Sequence, residues 1–234
     1  MIRFHPSTDL LESYVEGSLN SSVSLMVSAH CDMCDKCRSF VERQTEVLAE
    51  TILDGVDDAS FASGEFYDML SSITQQPSAR PLDEAESKLP HLNRASGVKS
   101  TIELDGRTFN LPRTLRRYVD KTGNWTGLVG KLWQAPVELG NQGVANFIYM
   151  GRGGSVPEHT HRGTEYTLVI DGEFSDGLEK YDTGDFIYMD GDKTHSPKSD
   201  ASEGCLVFSI VDQPLHFTSG FARLLNPFSH LFFR

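Results

Sequence analysis

The stretch GGSVPEHTHRGTEYTLVIDG, Gly153–Gly172, decides the fold. His159 and His161 stand two residues apart, so on an extended chain both side chains leave the same face. Glu165 follows after a turn and can return on a neighbouring strand, with Gly153 and Gly172 marking the bends. Imidazoles and a carboxylate gathered on one face make a mixed nitrogen–oxygen ligand set suited to zinc, iron, manganese or nickel. A further imidazole, His195, lies thirty residues beyond Glu165.

Outward from this stretch the chain reads as strands. Thr101–Leu104 and Arg107–Phe109 flank Asp105-Gly106, a hairpin turn signal. Apolar segments follow at Leu128–Trp133, Ala145–Tyr149, Tyr166–Ile170, Asp185–Met189 and Cys205–Val211. Glycine-containing turns, among them Asp171-Gly172, Thr183-Gly184 and Asp190-Gly191, separate several of them. Many short strands with regular turns predict an all-β barrel or jelly roll.

The spacing Gly153-x5-His159-x-His161-x3-Glu165-x6-Gly172 resembles the first motif of the cupin superfamily. The resemblance covers residues 98–215 and implies a metal held by His159, His161, Glu165 and, from the second motif, His195. That second motif departs from the family pattern. Gly184 and His195 are in register, but Asp190 stands at the proline, Asp192 at the glycine and Ser199 at the asparagine. The turn leading to His195 is therefore less well defined by the resemblance than the ligand itself.

The N-terminal third is different. Ser7-Thr8-Asp9 opens a helix carrying Leu10, Leu11, Tyr14 and Val15; Asn20-Ser21-Ser22 opens a second with Val23, Met26, Val27 and His30 on one face. A third starts near Cys34 and ends at Asp54-Gly55, and a short fourth spans Glu65–Ile73. His30-x3-Cys34-x2-Cys37 has helical spacing, which puts three soft ligands on one face. His5, ahead of the first helix, can supply the fourth and close a tetrahedral structural zinc site. Cys31 points about 100° from His30 on a helix and ranks as a non-ligand, although Cys31-x2-Cys34 is formally possible. Residues 76–97, with several prolines and no sustained periodicity, read as a linker. The expected organisation is a helical domain over 1–75, that linker, and a β-barrel domain over 98–234.

Composition narrows the partners. The formal net charge is −12, and residues 1–76 carry four basic against thirteen acidic side chains, a formal −9. Phosphate contact needs Lys and Arg, so direct nucleic-acid binding is not expected. An acidic module can instead cover a basic protein. No apolar run has the length of a membrane span, and the N-terminus has no signal-peptide core, so a cytoplasmic location is expected. Three of the four cysteines fall within seven residues, a poor disulfide framework and a good metal or redox signal. His91, His216 and His230 lack ligand spacing and read as ordinary histidines; Cys205 reads as a buried thiol and Trp125 and Trp133 as core.

The Cys/His set with its upstream histidine resembles the signature of zinc-containing anti-sigma factors. Joined to a single cupin domain, it resembles the ChrR family of transcriptional regulators over nearly the whole chain. That resemblance implies an α+β multidomain protein, a zinc-bound helical bundle followed by a cupin jelly roll. It also implies structural zinc on His5, His30, Cys34 and Cys37, and zinc or another divalent transition metal on the cupin set. The implied partner is an extracytoplasmic-function sigma factor, released when the cupin domain meets singlet oxygen or related oxidants. The alternative is a metal-dependent cupin enzyme, dioxygenase- or isomerase-like, with a regulatory N-terminal domain. A cupin that binds a small molecule without turnover is a third reading.

Overall fold

Side-chain caps set the first two helices. Ser7 Oγ accepts from the Leu10 amide at 3.2 Å to open α1 (Thr8–Val15), and Asn20 Oδ1 accepts from the Val23 amide at 2.9 Å to open α2 (Ser21–Met33). Cys34 has extended backbone, φ −120° and ψ 103°, which breaks the helical run before α3 (Asp35–Asp54). A further helix, α4, covers Gly64–Thr74. The computed structural model describes residues 1–54, 64–75, 99–128, 131–139, 144–213, 215–218, 220, 223 and 226. The expected linker 76–97, the Gly55 cap, His91, His230 and most of the tail lie outside the described residues.

Two compact units emerge. One joins Met1–Glu42 to Lys99–Arg234, and the other is Arg43–Val98, whose described parts are residues 43–54 of α3 and α4. In the first unit a hairpin of β1 (Thr101–Leu104) and β2 (Arg107–Asn110) turns at Asp105-Gly106, both with positive φ. It is followed by the short helix α5 (Arg113–Arg116). Next come β3 (Thr126–Leu128), β4 (Leu132–Val137), β5 (Val144–Met150), β6 (Gly154–Ser155), β7 (His159–Thr160) and β8 (Glu165–Ser175). The chain goes on through β9 (Lys180–Asp182), β10 (Phe186–Met189), β11 (Thr194–His195), β12 (Lys198–Ser199), β13 (Cys205–Val211) and β14 (His216–Phe217). The main antiparallel sheet runs β3-β4-β5-β13-β8-β12-β6, with β9 and β10 also on β8. A small sheet, β11-β7-β14, carries His159 and His195 as direct cross-strand partners. N-terminal helices followed by this curled sheet are the expected α+β architecture with a cupin barrel.

The segment Leu128–Trp133 is two strands rather than the single one expected. Lys131 adopts the left-handed region, φ 59°, and the chain reverses between β3 and β4. Nothing in the apolar pattern of that segment marks the reversal.

Both faces of the sheet are buried, which explains why β13 is buried at every position. Cys205 and Val207 face inward with Ile148, Met150, Val169, Phe174, Tyr181, Ile187 and Met189. Leu206, Phe208 and Ile210 face outward into a second core with Phe147, Leu168 and Phe186, covered by the hairpin and by α1 and α2. The helix α2 is therefore buried beyond the single stripe expected, with Leu25 and Ala29 also inside. Asp32 Oδ2 accepts from the Thr114 amide at 2.6 Å, so α2 supplies a carboxylate to the N-terminus of α5.

Candidate metal centres

The Cys/His cluster is assembled from three places. His5 precedes α1, His30 lies in the last turn of α2, and Cys34 and Cys37 straddle the break into α3. His5 Nδ1 lies 3.5 Å from Cys34 Sγ and 3.4 Å from Cys37 Sγ, and His30 Nε2 lies 3.3 Å from Cys37 Sγ. All four ligand atoms fall within 4.8 Å of one another. Cys31 is buried outside this group.

The second ring nitrogen of His30 fixes its tautomer. Nδ1–H donates to the Gly184 carbonyl at 2.9 Å, which leaves the Nε2 lone pair facing the thiols. Burial lowers the His30 pKa to about 4 and pushes the Cys37 thiol up to about 12, with Cys34 adding to the latter. A cluster of buried imidazoles around a Cys37 thiol that resists ionisation gains from a cation, which stabilises the thiolate and accepts the lone pairs.

The backbone leading into His5 is held by Asp185. Asp185 Oδ1 accepts from the Arg3 amide at 2.7 Å and the Phe4 amide at 3.0 Å, and its Oδ2 accepts from the Asp182 amide at 2.9 Å. The Phe186 amide donates to the Phe4 carbonyl at 3.0 Å, so residues 3–4 run beside the start of β10. Gly184, φ +91°, permits the approach: a Cβ there would lie 2.5 Å from Ile2 Cδ1. Sequence reading missed Asp185, and no spacing links an aspartate at 185 to a histidine at 5.

The His/Glu cluster is carried by β7, the turn after it, the start of β8 and β11. Pairing of β7 with β11 sets His159 opposite His195, and their Nε2 atoms are 2.9 Å apart. His161 Nε2 is 2.9 Å from His195 Nε2 and 2.9 Å from Glu165 Oε2. Hydrogen bonds cannot account for so many imidazole nitrogens meeting at one point. His159 Nδ1–H donates to the Pro157 carbonyl at 2.8 Å, so its Nε2 brings a lone pair into the cluster. Ligand atoms held at about 2.0–2.1 Å from a common ion lie roughly 3 Å from one another. The three separations of 2.9 Å fit that set, and His195 Nε2 stands farther from Glu165 Oε2, at 3.9 Å.

Electrostatics agrees. Burial, then His195, lowers the His159 pKa to about 3, and burial also lowers that of His195. Burial alone would raise Glu165, but the His161 hydrogen bond and the neighbouring imidazoles hold its carboxyl below the usual range. Ser209 Oγ donates to Glu165 Oε1 at 2.9 Å and Thr167 Oγ1 donates to it at 3.0 Å, leaving Oε2 for the cluster. These two hydroxyls lie on inward positions of β13 and β8, a role that period-two alternation could have flagged. An apolar cavity of about 50 Å³ adjoins the cluster, lined among others by Met150, Met189, Phe174, Asp176 and Tyr181. Glu158 and Tyr166, which neighbour the ligand residues in sequence, lie elsewhere: Glu158 is exposed and Tyr166 packs in the outer core. His216 pairs with Thr160 in the small sheet and stays out of the cluster.

Fold and clusters define a class: a single-cupin protein with a helical thiolate–imidazole module docked on its barrel. Residues 117–213 match the model of the ChrR cupin-like domain. The chain is 26% identical over 228 residues to the anti-sigma-E factor ChrR of Cereibacter sphaeroides, covering 97% of this chain and 98% of that protein. It also matches a chain of the crystallised complex of Rhodobacter sphaeroides SigE with the anti-sigma ChrR. There the TM-score is 0.62 and the identity 25%, over 91% of this chain and all of that one. Residues 117–213 thus resemble a ChrR cupin-like domain, and possible metal-binding groups stand in both the helical and the cupin regions.

Proposed function

We propose that the chain is an anti-sigma factor, a regulator rather than an enzyme, that sequesters an extracytoplasmic-function sigma factor. The observation that carries this reading is the match to anti-sigma-E factor ChrR, which spans both the helical region and the barrel. Residues 1–75 act as the sigma-binding module, 76–97 as a linker and 98–234 as the cupin domain. His5, His30, Cys34 and Cys37 hold a structural zinc, which supplies a four-ligand crosslink between the N-terminal segment, α2 and the start of α3. His159, His161, Glu165 and His195 hold zinc or another divalent transition metal.

The sigma-binding surface draws support from the exposed side chains of α3 and α4. Val47, Ile52, Leu53, Tyr67 and Met69 are exposed, and Glu46, Glu50 and Asp68 stand among them. Acidic and apolar groups together suit a basic partner with an apolar anchor site. The regulatory role sets the protein's work in the cytoplasm; among the described residues no helix is long and apolar enough to cross a membrane. The barrel is the input domain, responsive to singlet oxygen or related oxidants. Oxidisable Met150 and Met189 beside the imidazoles support that assignment.

Coexpression with the extracytoplasmic-function sigma factors of the source genome, followed by copurification and metal analysis, tests the proposal. One sigma factor should copurify with a zinc-loaded chain and lose polymerase binding. A chain that ignores all of them and turns over a small molecule would overturn it.

A further inference from the structure

One chain of contacts connects the two clusters. His195 Nδ1 is buried without a hydrogen-bond partner and lies 4.0 Å from Asp176 Oδ2. Asp176 is fully buried, and its Oδ1 accepts from the Leu178 and Glu179 amides, each at 2.8 Å. Its backbone carbonyl accepts from the Ser196 amide at 2.9 Å, next to His195. The Tyr181 hydroxyl donates to Asp176 Oδ2 at 2.9 Å. On its other side the Tyr181 ring meets the Phe4 ring, centroids 4.8 Å apart, and Phe4 immediately precedes His5.

We infer that Asp176 and Tyr181 are positioning residues shared by both centres. Asp176 orients His195 from behind, and Tyr181 carries a displacement of Asp176 to Phe4 and so to His5. The arrangement suits this role physically. A carboxylate aimed at the outer nitrogen of a ligating imidazole sets the ring's orientation and basicity. Asp176 Oδ1 is pinned by two amides, so Oδ2 is the end that responds to His195 and to Tyr181. The Tyr181 ring borders the cavity on one side and packs on the partly buried Phe4 on the other, so a shift of the ring is passed to the N-terminal segment. Coupling of this kind is reciprocal, so metal at one centre alters retention at the other. The inference rests on reading both clusters as metal centres.

Cobalt(II) tests it in the full chain, because thiolate-bound cobalt absorbs intensely in the near ultraviolet and imidazole–carboxylate cobalt does not. The rate of cobalt loss from the Cys/His centre to a chelator is measured with the cupin centre intact or disabled by His159→Ala with His161→Ala. The same pair is measured in a Tyr181→Phe background, which keeps the ring and removes only the hydroxyl. Disabling the cupin centre is expected to change the rate by about 5-fold or more with Tyr181 present. In Tyr181→Phe the change should fall below about 2-fold. Glu165→Gln is a gentler disabling variant if circular dichroism shows the paired histidine replacement unfolding the barrel. Asp176→Asn should weaken retention at the cupin centre by about 10-fold. An unchanged rate with Tyr181 present, or a change that survives Tyr181→Phe, overturns the coupling. Undiminished retention in Asp176→Asn overturns the orienting role. If even the unmodified chain develops no thiolate–cobalt band, the metal-centre reading itself fails and the coupling with it.

Discussion

The imidazole of His30 donates through Nδ1 to the carbonyl of Gly184 at 2.9 Å, joining the end of α2 to the turn ahead of β10. His30 is fully buried and packs edge-on against Phe186. Its loss therefore does more than remove a ligand. In metal-stripped protein, His30→Ala leaves the Gly184 carbonyl unpaired and opens a cavity, a cost of about 2–4 kcal/mol. Urea unfolding of both proteins in excess chelator measures it. A difference under about 1 kcal/mol would mean that His30 serves only the metal.

Thiol chemistry gives a second expectation. Burial, with Cys34 next, raises the Cys31 pKa to about 11, and burial also raises Cys205. Raised values mean a smaller thiolate fraction at neutral pH than in a free cysteine, and the fraction grows about tenfold per pH unit below the pKa. Both cysteines should thus resist alkylation at pH 7 in the folded, metal-loaded chain and label faster as pH rises. Peptide mapping after timed iodoacetamide exposure checks this. Rapid labelling of Cys31 at pH 7 would overturn this expectation and mark it as a reactive thiol.

Much of this architecture was legible in the sequence, for local reasons. His159-x-His161 lies where strand alternation turns both rings inward, and His30-x3-Cys34-x2-Cys37 converges because the spacing suits a helix and Cys34 breaks it. Ser7 and Asn20 announced the helix starts through the capping bonds they make. What escaped was non-local. Asp185 fixes residues 3–4 from 181 positions away or more, and Asp176 faces His195 only because of a turn at 176–179. The break inside Leu128–Trp133 escaped because Lys131 takes a left-handed conformation that lysine does not advertise.

Ser209 offers a test of support for the cupin cluster. It is buried, and its hydroxyl donates to the Glu165 oxygen that faces away from the imidazoles. Ser209→Ala barely changes volume, so the effect reports the hydrogen bond: about 1 kcal/mol of stability and roughly 10-fold in metal retention at that cluster. Thermal melts and chelator competition separate the two. The thiolate–cobalt spectrum of the Cys/His cluster should keep its position, because Ser209 reaches only the other site.

The sigma-binding role makes the sharpest demand on α3 and α4. Leu53 is 68% exposed and Ile52 60%, so replacing them leaves the fold's core untouched. Surface substitutions away from special features cost within about 0.5 kcal/mol. A large apolar anchor at an interface is worth about 2 kcal/mol or more, near 30-fold in affinity. Leu53→Asp and Ile52→Asp should therefore melt within a few degrees of the parent chain and keep its metal content. Each should bind the copurifying sigma factor at least about 10-fold more weakly in titration calorimetry. The introduced carboxylate also separates two contributions within the interface. If charge complementarity dominates, the acidic replacement holds affinity and slows only at high salt, as screening predicts. If apolar contact dominates, affinity falls at every salt concentration, and restoring leucine size with Leu53→Met recovers most of it. Binding unchanged in both aspartate variants at low and high salt alike would move the sigma surface off these helices.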